Sequence, residues 1–179
     1  MTPGRVVHTA RMEIRLATPD DALVVAGVHV RSWQVGYRGL LDDDLLDGLV
    51  PEERAARYTF GSPDPLAPST RVAVEGGAIV GFATTAPARD PDRAGAGELC
   101  ALYVDPDRWH GGVGRSLVAS ARHHLAAQGF DRAVLWVLTG NERAQRFYRT
   151  DGWRPDGAGR RGDVWGAAVD EVRFERTLP

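Results

Sequence analysis

A cluster of glycines lies in the segment LYVDPDRWHGGVGRSLVAS, residues 102–120, between an apolar stretch and a segment with helical spacing. Gly111, Gly112 and Gly114 have no Cβ atom, so a ligand can approach the main chain closely there. The unpaired amides of a helix's first turn and the helix dipole together favour an anion, most often a phosphate. The segment therefore predicts a phosphate or pyrophosphate cradle, although a plain turn at the start of a helix could carry the same glycines.

Two common phosphate-binding loops do not match this segment. A Walker loop requires the pattern G-x-x-x-x-G-K-[ST], and no lysine stands near the glycines. A dinucleotide fingerprint requires G-x-G-x-x-G, but its last position falls on Leu117. That fingerprint also belongs to the first strand of a parallel sheet, whereas these glycines come well into the chain.

A second group of chemically useful residues lies in NERAQRFYRTDGW, residues 141–153. Ala144 and Tyr148 are four positions apart and therefore share one face of a helix. The small Ala144 would let a bound molecule lie close, and Tyr148 would present its hydroxyl near the end of that molecule. A phenol, with a pKa of about 10, stays protonated at neutral pH and can donate a proton to a leaving group. The alternative is a tyrosine that simply packs beneath a sheet.

Composition and charge exclude several classes of protein. The 179 residues include 22 basic and 24 acidic side chains, so the chain lacks the positive excess of a general nucleic-acid or membrane-surface binder. The single cysteine, Cys100, excludes an internal disulfide and a thiolate zinc site, and we expect it to be buried and unreactive. No apolar run approaches the ~20 residues of a membrane span, and no secretory signal is evident. We expect a cytoplasmic protein with a flexible tail over residues 1–10, a single domain over 11–179 and no metal site.

Apolar periodicity predicts the elements that carry these groups. The predicted strands cover residues 13–17, 98–104, 133–138 and 170–178, and two more flank the Gly76-Gly77 turn of a hairpin. The predicted helices run from Asp20 to about Gln34, in two broken pieces over 43–58, from the glycines to Gly129, and from an Asn141 cap to a Gly152 stop. The order is mixed α/β, with an early sheet that is mostly antiparallel and a late parallel crossover.

These motifs resemble those of the GNAT superfamily of acetyltransferases. In that family a strand ending in L-x-V-x-P precedes a Q/R-x-x-G-x-G/A loop that binds coenzyme A, and LYVDPDRWHGGVG is similar to it, with Gly112 and Gly114 on the glycine positions. The later family pattern of Asn, Ala, Phe-Tyr and Gly-Phe/Trp resembles the residues from Asn141 to Trp153. The sequence departs at Trp109, where Gln or Arg is usual, and at His110, where Gly is common. The second departure puts in question the usual conformation of that peptide.

The resemblance covers nearly the whole chain and implies the GNAT fold: a mixed, mostly antiparallel sheet with splayed fourth and fifth strands, flanked by helices. It implies acetyl-CoA as cofactor and direct transfer of the acetyl group to a primary amine of a small molecule in a ternary complex. Protein N-termini or lysines, and a non-catalytic acyl-CoA-binding module, are the alternatives, and a homodimer would be usual. The residues that the resemblance assigns to the cofactor are Leu102, Tyr103, Val104, Trp109, His110, Gly111, Gly112, Val113, Gly114, Arg115, Ser116, Asn141, Ala144 and Phe147.

The resemblance also assigns catalytic roles. Tyr148 would protonate the departing thiolate, and a main-chain amide between Leu102 and Val104 would polarise the thioester carbonyl. Glu98 stands where many family members carry a carboxylate base, often acting through water. Strict alternation would place Glu98 on one face with Cys100, Leu102 and Val104, but it could equally be a solvated charge at a strand end.

The acceptor wall in this superfamily comes from the first helix and the loop after it. The segment VHVRSWQVGYRGLL resembles a common variant in which Trp33 and Tyr37, four residues apart, precede a Gly-Leu-Leu turn. Both could line the substrate site, and we expect at least one of them to be a core residue. The acids Asp42 to Asp44 fit a solvated helix start better than a site for a cationic amine. The loop residues from Arg89 to Asp92 are expected near the mouth of the site.

Overall fold

The computed structural model describes residues 12–64, 66–164 and 166–179; the predicted flexible tail, residues 1–10, lies outside the described residues. The strands are β1 Glu13–Leu16, β2 Ser69–Glu75, β3 Ala78–Pro87, β4 Gly97–Val104, β5 Arg132–Leu138, β6 Arg154–Val164 and β7 Ala167–Thr177. The α-helices are α1 Ala22–Gly36, α2 Asp43–Asp47, α3 Pro51–Ala55, α4 Val113–Ala127 and α5 Glu142–Thr150. The strands form a single seven-stranded sheet in the order β1-β2-β3-β4-β5-β7-β6.

The sheet opens between its two central strands. All strand pairs are antiparallel except β4 and β5, which run parallel and are paired only where Gly97 and Glu98 meet Ala133 and Val134. Beyond Glu98 and Val134 the two strands diverge. We call the resulting gap the wedge, and it confirms the predicted splay of the fourth and fifth strands.

Helices cover both faces of the sheet because each face carries apolar side chains. On one face, α4 and α5 bury a cluster that includes Leu117, Leu125 and Trp153. On the other face, α1 to α3 cover two smaller clusters, one around Val25 and Phe82 and one around Trp33, Tyr37, Leu46, Leu138 and Val169. The helix α4 carries an apolar stripe with Val113, Leu117, Ala121 and Leu125 on one side, and this stripe is buried.

Most predicted elements are confirmed, with boundaries that shift by a few residues. Strand β6 is present in the structure but was not predicted from the sequence. Its sequence, RPDGAGRRGDV, contains a proline, three glycines and no run of β-branched residues, so its intrinsic preference for a strand is weak. β6 forms at the edge of the sheet, where pairing with β7 supplies its backbone hydrogen bonds.

A β-bulge in β4 corrects the predicted orientation of Glu98. Thr84 lies opposite Ala101 and Thr85 lies opposite Leu99, so Cys100 is an extra residue without a partner on β3. An inserted residue reverses the alternation of side chains, because the side-chain period of a strand is two. Glu98 therefore shares a face with Ala101 and Tyr103, and the prediction that it lies with Cys100, Leu102 and Val104 is wrong.

Candidate functional site

A large crevice runs through the wedge. Its volume is about 1580 Å³, and its lining residues come from both faces of the sheet and from both sides of the gap. On the α4–α5 side it is lined by residues of α5 and of the segment 109–114, which we call the glycine loop. On the opposite side it is lined by α1, the α2–α3 region and the exposed ends of β5 to β7. A long molecule can therefore reach from one face of the sheet to the other through the wedge.

The glycine loop presents free main-chain amides at one end of this crevice. Gly112 caps α4 with a φ of 86°, in the left-handed region that suits glycine. The first hydrogen bond of the helix runs from the Ser116 amide to the Gly112 carbonyl, at 3.1 Å. The amides of Val113, Gly114 and Arg115 precede it and have no carbonyl partner within the helix. This arrangement, with the positive end of the helix dipole, can hold a diphosphate.

His110 has a left-handed backbone conformation, which glycine adopts more easily than other residues. Its φ is 65°, and it is the one non-glycine residue with a positive φ in the described part of the chain. Histidine is among the residues that tolerate this region, at a cost of the order of 1–3 kcal/mol. The peptide therefore adopts a conformation that suits glycine despite the histidine side chain.

Trp109 joins the loop to three other parts of the site. Its indole Nε1 donates a hydrogen bond to the Val104 carbonyl at 2.8 Å, and the Ser32 hydroxyl of α1 donates to the same oxygen at 2.8 Å. The Arg143 guanidinium of α5 stacks over the indole, 3.5 Å from the ring centroid. A Cβ on Gly36 would lie 2.9 Å from that guanidinium, so the end of α1 backs the stack closely.

Tyr148 lies on α5 and contributes to the wall of the crevice. It is 9% exposed, and burial, followed by the nearby Tyr103 hydroxyl, raises its pKa well above the ordinary value for tyrosine. The hydroxyl therefore keeps its proton at neutral pH. Asn141 caps the helix by accepting a hydrogen bond from the Ala144 amide at 3.1 Å, as predicted. One turn before Tyr148, Ala144 also lines the crevice.

Phe147 brings α5 against the start of α4. Its ring lies 3.5 Å from the position that a Cβ on Gly114 would occupy, so a larger residue at position 114 would be in contact with it. This packing sets the distance between the glycine loop and α5, which form the two walls of the crevice on this face.

Glu98 stands at the closed end of the wedge. It is 5% exposed, yet it lines the crevice, so it is not a solvated charge at a strand end. Burial raises the pKa of its carboxyl; the Arg89 guanidinium, 3.9 Å away, acts in the opposite direction, and Asp90 raises the pKa further. A carboxylate with a raised pKa is a stronger base than a solvated glutamate.

Two other titratable groups near the site, His29 and Asp105, are already engaged in hydrogen bonds. His29 Nδ1 is 3.2 Å from the Arg54 Nε, which can only donate, so Nδ1 is unprotonated and the ring's proton resides on Nε2. Burial also lowers the pKa of His29 well below its ordinary value, so the ring stays neutral. Asp105 forms an ion pair with Arg31 and accepts a hydrogen bond from the Asp107 amide, and it does not line the crevice.

The open edge of β4 directs main-chain groups into the wedge. The Asp105 amide bonds to the Val80 carbonyl of β3 at 2.9 Å, so the groups of Tyr103 also point towards β3. Alternation then directs the amides of Leu102 and Val104 to the opposite edge, where β5 has moved away. These are the groups that the sequence predicts for polarising a carbonyl.

Trp33 and Tyr37 are both buried, as expected of core residues, and both also line the crevice. Their rings meet edge to face with centroids 4.6 Å apart. Burial raises the pKa of Tyr37 and of the neighbouring Tyr103, so both phenols stay protonated at neutral pH. They form an aromatic wall on the α1 face of the wedge.

The structure brings most of the predicted site residues to one crevice. Gly111, Val113 and Ser116 do not line it; Val113 is buried in the core, so only its main chain is available to a ligand. Cys100, expected to be buried, is exposed at the bulge and opens onto the crevice. Burial of the thiol by surrounding atoms, with the charge of Glu98, raises its pKa to about 12, which agrees with an unreactive thiol.

Among the residues of the crevice wall that the sequence-based prediction does not include are Trp136, Arg160 and Glu171. Glu171 alternates with Val172 along β7, a pattern typical of a strand with one face in solvent. In the structure both faces of β7 are covered, and Glu171 and Arg173 are buried. Glu171 is paired with Arg160 of β6, and Arg173 is paired with the loop before β4 and with Asp156 of β6.

The loop before β4 is held by Arg173 rather than being free to bind substrate. The Arg173 guanidinium pairs with Asp92 at 2.6 Å and with Asp156 at 2.8 Å, and it lies 3.4 Å from Asp90. Asp90 also accepts a hydrogen bond from the Trp136 indole at 3.0 Å. Of the predicted loop residues, Arg89 lines the crevice, whereas Asp90 and Asp92 anchor the loop.

Among the described residues, no group of three or more His, Cys, Asp or Glu side chains could hold a metal ion. In the same part of the chain, no helix is both long enough and apolar enough to cross a membrane.

A sheet that opens between two parallel strands, with an amide cradle at the opening, defines the acyl-CoA-binding class of α/β proteins that the motifs resemble. The model of the Acetyltransferase (GNAT) family matches residues 37–153, and the chain belongs to this family. It is 30% identical to the uncharacterized N-acetyltransferase YuaI of Bacillus subtilis, over 72% of each chain. It is also 31% identical to the phosphinothricin N-acetyltransferase of Streptomyces coelicolor, over 95% of this chain and 98% of that one.

The fold is shared with solved structures. The PaiA N-acetyltransferase of Thermoplasma acidophilum, solved in complex with coenzyme A, superposes with a TM-score of 0.73 at 20% identity. The match covers 94% of this chain and 99% of that one. The predicted fold class is therefore confirmed.

Proposed function

We propose that this protein transfers the acetyl group of acetyl-CoA to a primary amine of a small molecule, by direct attack in a ternary complex. The narrow parallel pairing of β4 and β5 is the observation that carries the proposal. It leaves a wedge with an amide cradle at one end, Tyr148 in its wall and Glu98 at its closed end. The name of the phosphinothricin N-acetyltransferase supports a small-molecule acceptor, because that relative matches nearly the whole chain.

The residues of the crevice fit a coenzyme A thioester. The amides of Val113 to Arg115 would hold its diphosphate, and Ala144 and Phe147 would border its pantetheine arm. Acetyl-CoA supplies an activated acyl group on a thiolate leaving group. The two β4 amides that point into the wedge, from Leu102 and Val104, would hydrogen-bond to the thioester oxygen and stabilise the negative charge that develops on it.

Tyr148 would act as the general acid. Its raised pKa keeps the phenol protonated at neutral pH. The proton is therefore available to the departing thiolate, whose conjugate acid has a pKa of about 8.5. General-acid catalysis of this kind contributes roughly 10²–10⁴ in rate.

Glu98 would act as the general base. An ammonium group cannot attack a carbonyl, so the acceptor must lose a proton before or during the transfer. Glu98 lies on the face of the sheet that α1 to α3 cover, together with Ala101 and Tyr103 and opposite Leu102. We call this the acceptor face. A carboxylate in this position can take the proton directly or through a water molecule.

Release of free coenzyme A from acetyl-CoA, measured across a panel of small primary amines, tests the proposal. We expect at least one amine to give turnover that saturates with both substrates, with intersecting initial-rate plots as a ternary complex requires. Parallel plots would contradict direct transfer, and absence of turnover with every amine would contradict the proposed function. Calorimetry on the same preparation shows whether the protein binds coenzyme A, independently of turnover.

A further inference from the structure

Four neighbouring strands place one row of side chains on the acceptor face of the sheet. Glu98 of β4 is paired in parallel with Val134, so Trp136, two residues further along β5, lies on the same face. The antiparallel register sets Leu138 opposite Glu171 of β7 and Glu171 opposite Arg160 of β6. Residues directly opposite in a sheet point to the same side. The row therefore contains two acids, an indole and a guanidinium, all of them lining the crevice.

Arg160 is held rigidly within this row. Its guanidinium stacks over the Trp136 ring, 4.1 Å from the centroid. Its Nε donates a hydrogen bond to Glu171 Oε2 at 2.7 Å, and Glu171 is only 8% exposed. The carboxylate is itself confined, because a Cβ on Gly162 would lie 2.8 Å from the same oxygen. Stacking and pairing together fix both the plane and the rotation of the guanidinium.

The fixed guanidinium leaves its outer edge open. Within the described part of the chain, no hydrogen bond is made by its two terminal nitrogens, and the Arg160 side chain is 42% exposed. A planar guanidinium whose position is already fixed binds a carboxylate with two parallel hydrogen bonds and loses little side-chain entropy in doing so. The Arg160 edge thus has the geometry of an anion-binding fork.

The arrangement of charges specifies more than an anion. Arg160 and Glu171 present a positive and a negative group side by side, and Glu98 lies further along the same row. A ligand that complements this pair carries an anion and an ammonium group a few ångströms apart. The ammonium lies towards the carboxylates, one of which is the candidate base. An α-amino acid has this separation of charges.

We infer that Arg160 is the residue that selects the acceptor, by binding an anionic group on it, and that the acceptor is an amino-acid-like amine rather than a simple amine. The inference rests on the proposed function, since it names the acceptor of that same site. Further arginines line the crevice, among them Arg54, Arg57 and Arg89, and they contribute to a favourable potential for an anion.

The first test uses matched acceptors. Each of a set of L-α-amino acids is compared with its α-carboxamide and with the amine left by removal of the carboxyl group, and kcat/KM is measured from coenzyme A release. We expect the acid to exceed the amide at least tenfold for the best acceptor. The α-amino group of the amide is the less basic of the two, so at a given pH more of it is free amine. A preference for the acid therefore cannot come from the supply of nucleophile.

The second test changes the fork. In Arg160→Gln we expect the preference for the acid over the amide to fall to less than threefold, through a rise in KM for the acid alone. Arg160→Lys keeps a charge beside Glu171 but loses the second hydrogen bond, so it should retain the fold and lose most of the preference. Arg161→Gln is the matched control, because this exposed neighbour pairs only loosely with exposed Asp170, at 3.9 Å, and should leave the preference unchanged.

The outcomes separate the two proposals. Turnover confined to amines without an anionic group, or equal kcat/KM for acid and amide in the unmodified protein, overturns the inference and leaves the proposed function standing. Equal losses for acid and amide in both Arg160 variants mean that Arg160 is merely structural, which also overturns it. No turnover with any amine overturns the proposed function and the inference together.

Discussion

The guanidinium of Arg143 lies 3.5 Å from the centre of the Trp109 indole, and this stack connects the two sides of the wedge. Trp109 belongs to the loop after β4, and Arg143 belongs to the first turn of the helix after β5. Strands β4 and β5 have separated at this point. Besides the contact of Phe147 with Gly114, the stack is therefore what holds the loop against α5. The tryptophan that departs from the family pattern thus has a structural partner in this chain.

Removal of this stack should weaken cofactor binding. Arg143→Met loses a cation–π contact worth about 0.5–1 kcal/mol. The loop is then less ordered before binding, and ordering it lowers the net free energy of cofactor binding. We expect the Kd for coenzyme A, measured by calorimetry, to rise about 2–5-fold, with little change in kcat. Arg161→Met serves as a control for the loss of one positive charge. Equal effects in the two variants would show that general electrostatics, not the stack, is responsible.

Tyr148→Phe should lower kcat at least tenfold and leave the Kd for coenzyme A nearly unchanged. The substitution removes only the phenolic hydroxyl, whose proton the departing thiolate needs, and it retains the buried ring. Single-turnover rates at saturating acceptor, together with calorimetry, give the two quantities. Unchanged turnover in a variant that unfolds at the temperature of the unmodified protein would remove Tyr148 from the mechanism.

The pH dependence of kcat/KM should report Glu98. Because burial raises the pKa of this carboxyl, the rising limb should lie above the ordinary glutamate value of about 4.3. Arg89→Gln removes the cation that lowers this pKa, so the limb should move to higher pH. Glu98→Gln should lose the limb, whereas Glu142→Gln, at the exposed start of α5, should keep it. A limb that persists in Glu98→Gln would assign the base to another group.

The same pKa shift predicts an effect on stability. A carboxyl whose pKa is higher in the folded than in the unfolded protein stabilises the fold below the unfolded-state pKa, and this contribution is lost as the pH rises through the folded-state value. At pH 7 the buried Glu98 carboxylate is therefore unfavourable. We expect Glu98→Gln to have a Tm at pH 7 at least as high as that of the unmodified protein, and a markedly lower Tm would contradict this reasoning.

Two glycines should respond in opposite directions to the same substitution. A Cβ on Gly81 of β3 would lie 3.0 Å from the Tyr103 carbonyl and from Leu117, so Gly81→Ala should cost about 1–3 kcal/mol of unfolding free energy. Gly27 lies inside α1 with nothing within 4 Å of the added atom, so Gly27→Ala should stabilise by about 1 kcal/mol. Urea unfolding of both variants measures the difference, and a loss of stability in Gly27→Ala would contradict the packing described for α1.

Relief of strain in the loop should be measurable. His110→Gly allows the observed φ of 65° without steric cost, so we expect about 1 kcal/mol of added stability and no weaker coenzyme A binding. His110→Ala removes the same imidazole but keeps a Cβ, and it should give no such gain. Equal gains in both variants would assign the effect to the side chain rather than to the backbone.

Local signals account for most of the correct predictions. The Gly76-Gly77 turn, the Asn141 cap and the Gly152 stop depend on residues within a few positions of each other, and each is observed. The failures involve the pairing of one strand with another. β6 forms only because β7 offers it a hydrogen-bonding edge, and the bulge at Cys100 is defined only by the register with β3.

The sequence by itself determined the order of the elements other than β6, the glycine loop and the helix that carries Tyr148, because spacing along the chain dictates which residues share a helix face or cap a helix. The tertiary structure alone decided which side chains meet in the crevice. Glu98 reaches the acceptor face because one inserted residue reverses the alternation of side chains, and Arg160 meets Trp136 and Glu171 because β5, β7 and β6 lie side by side in the sheet. Contacts of this kind follow from register and packing, which no local pattern of residues encodes.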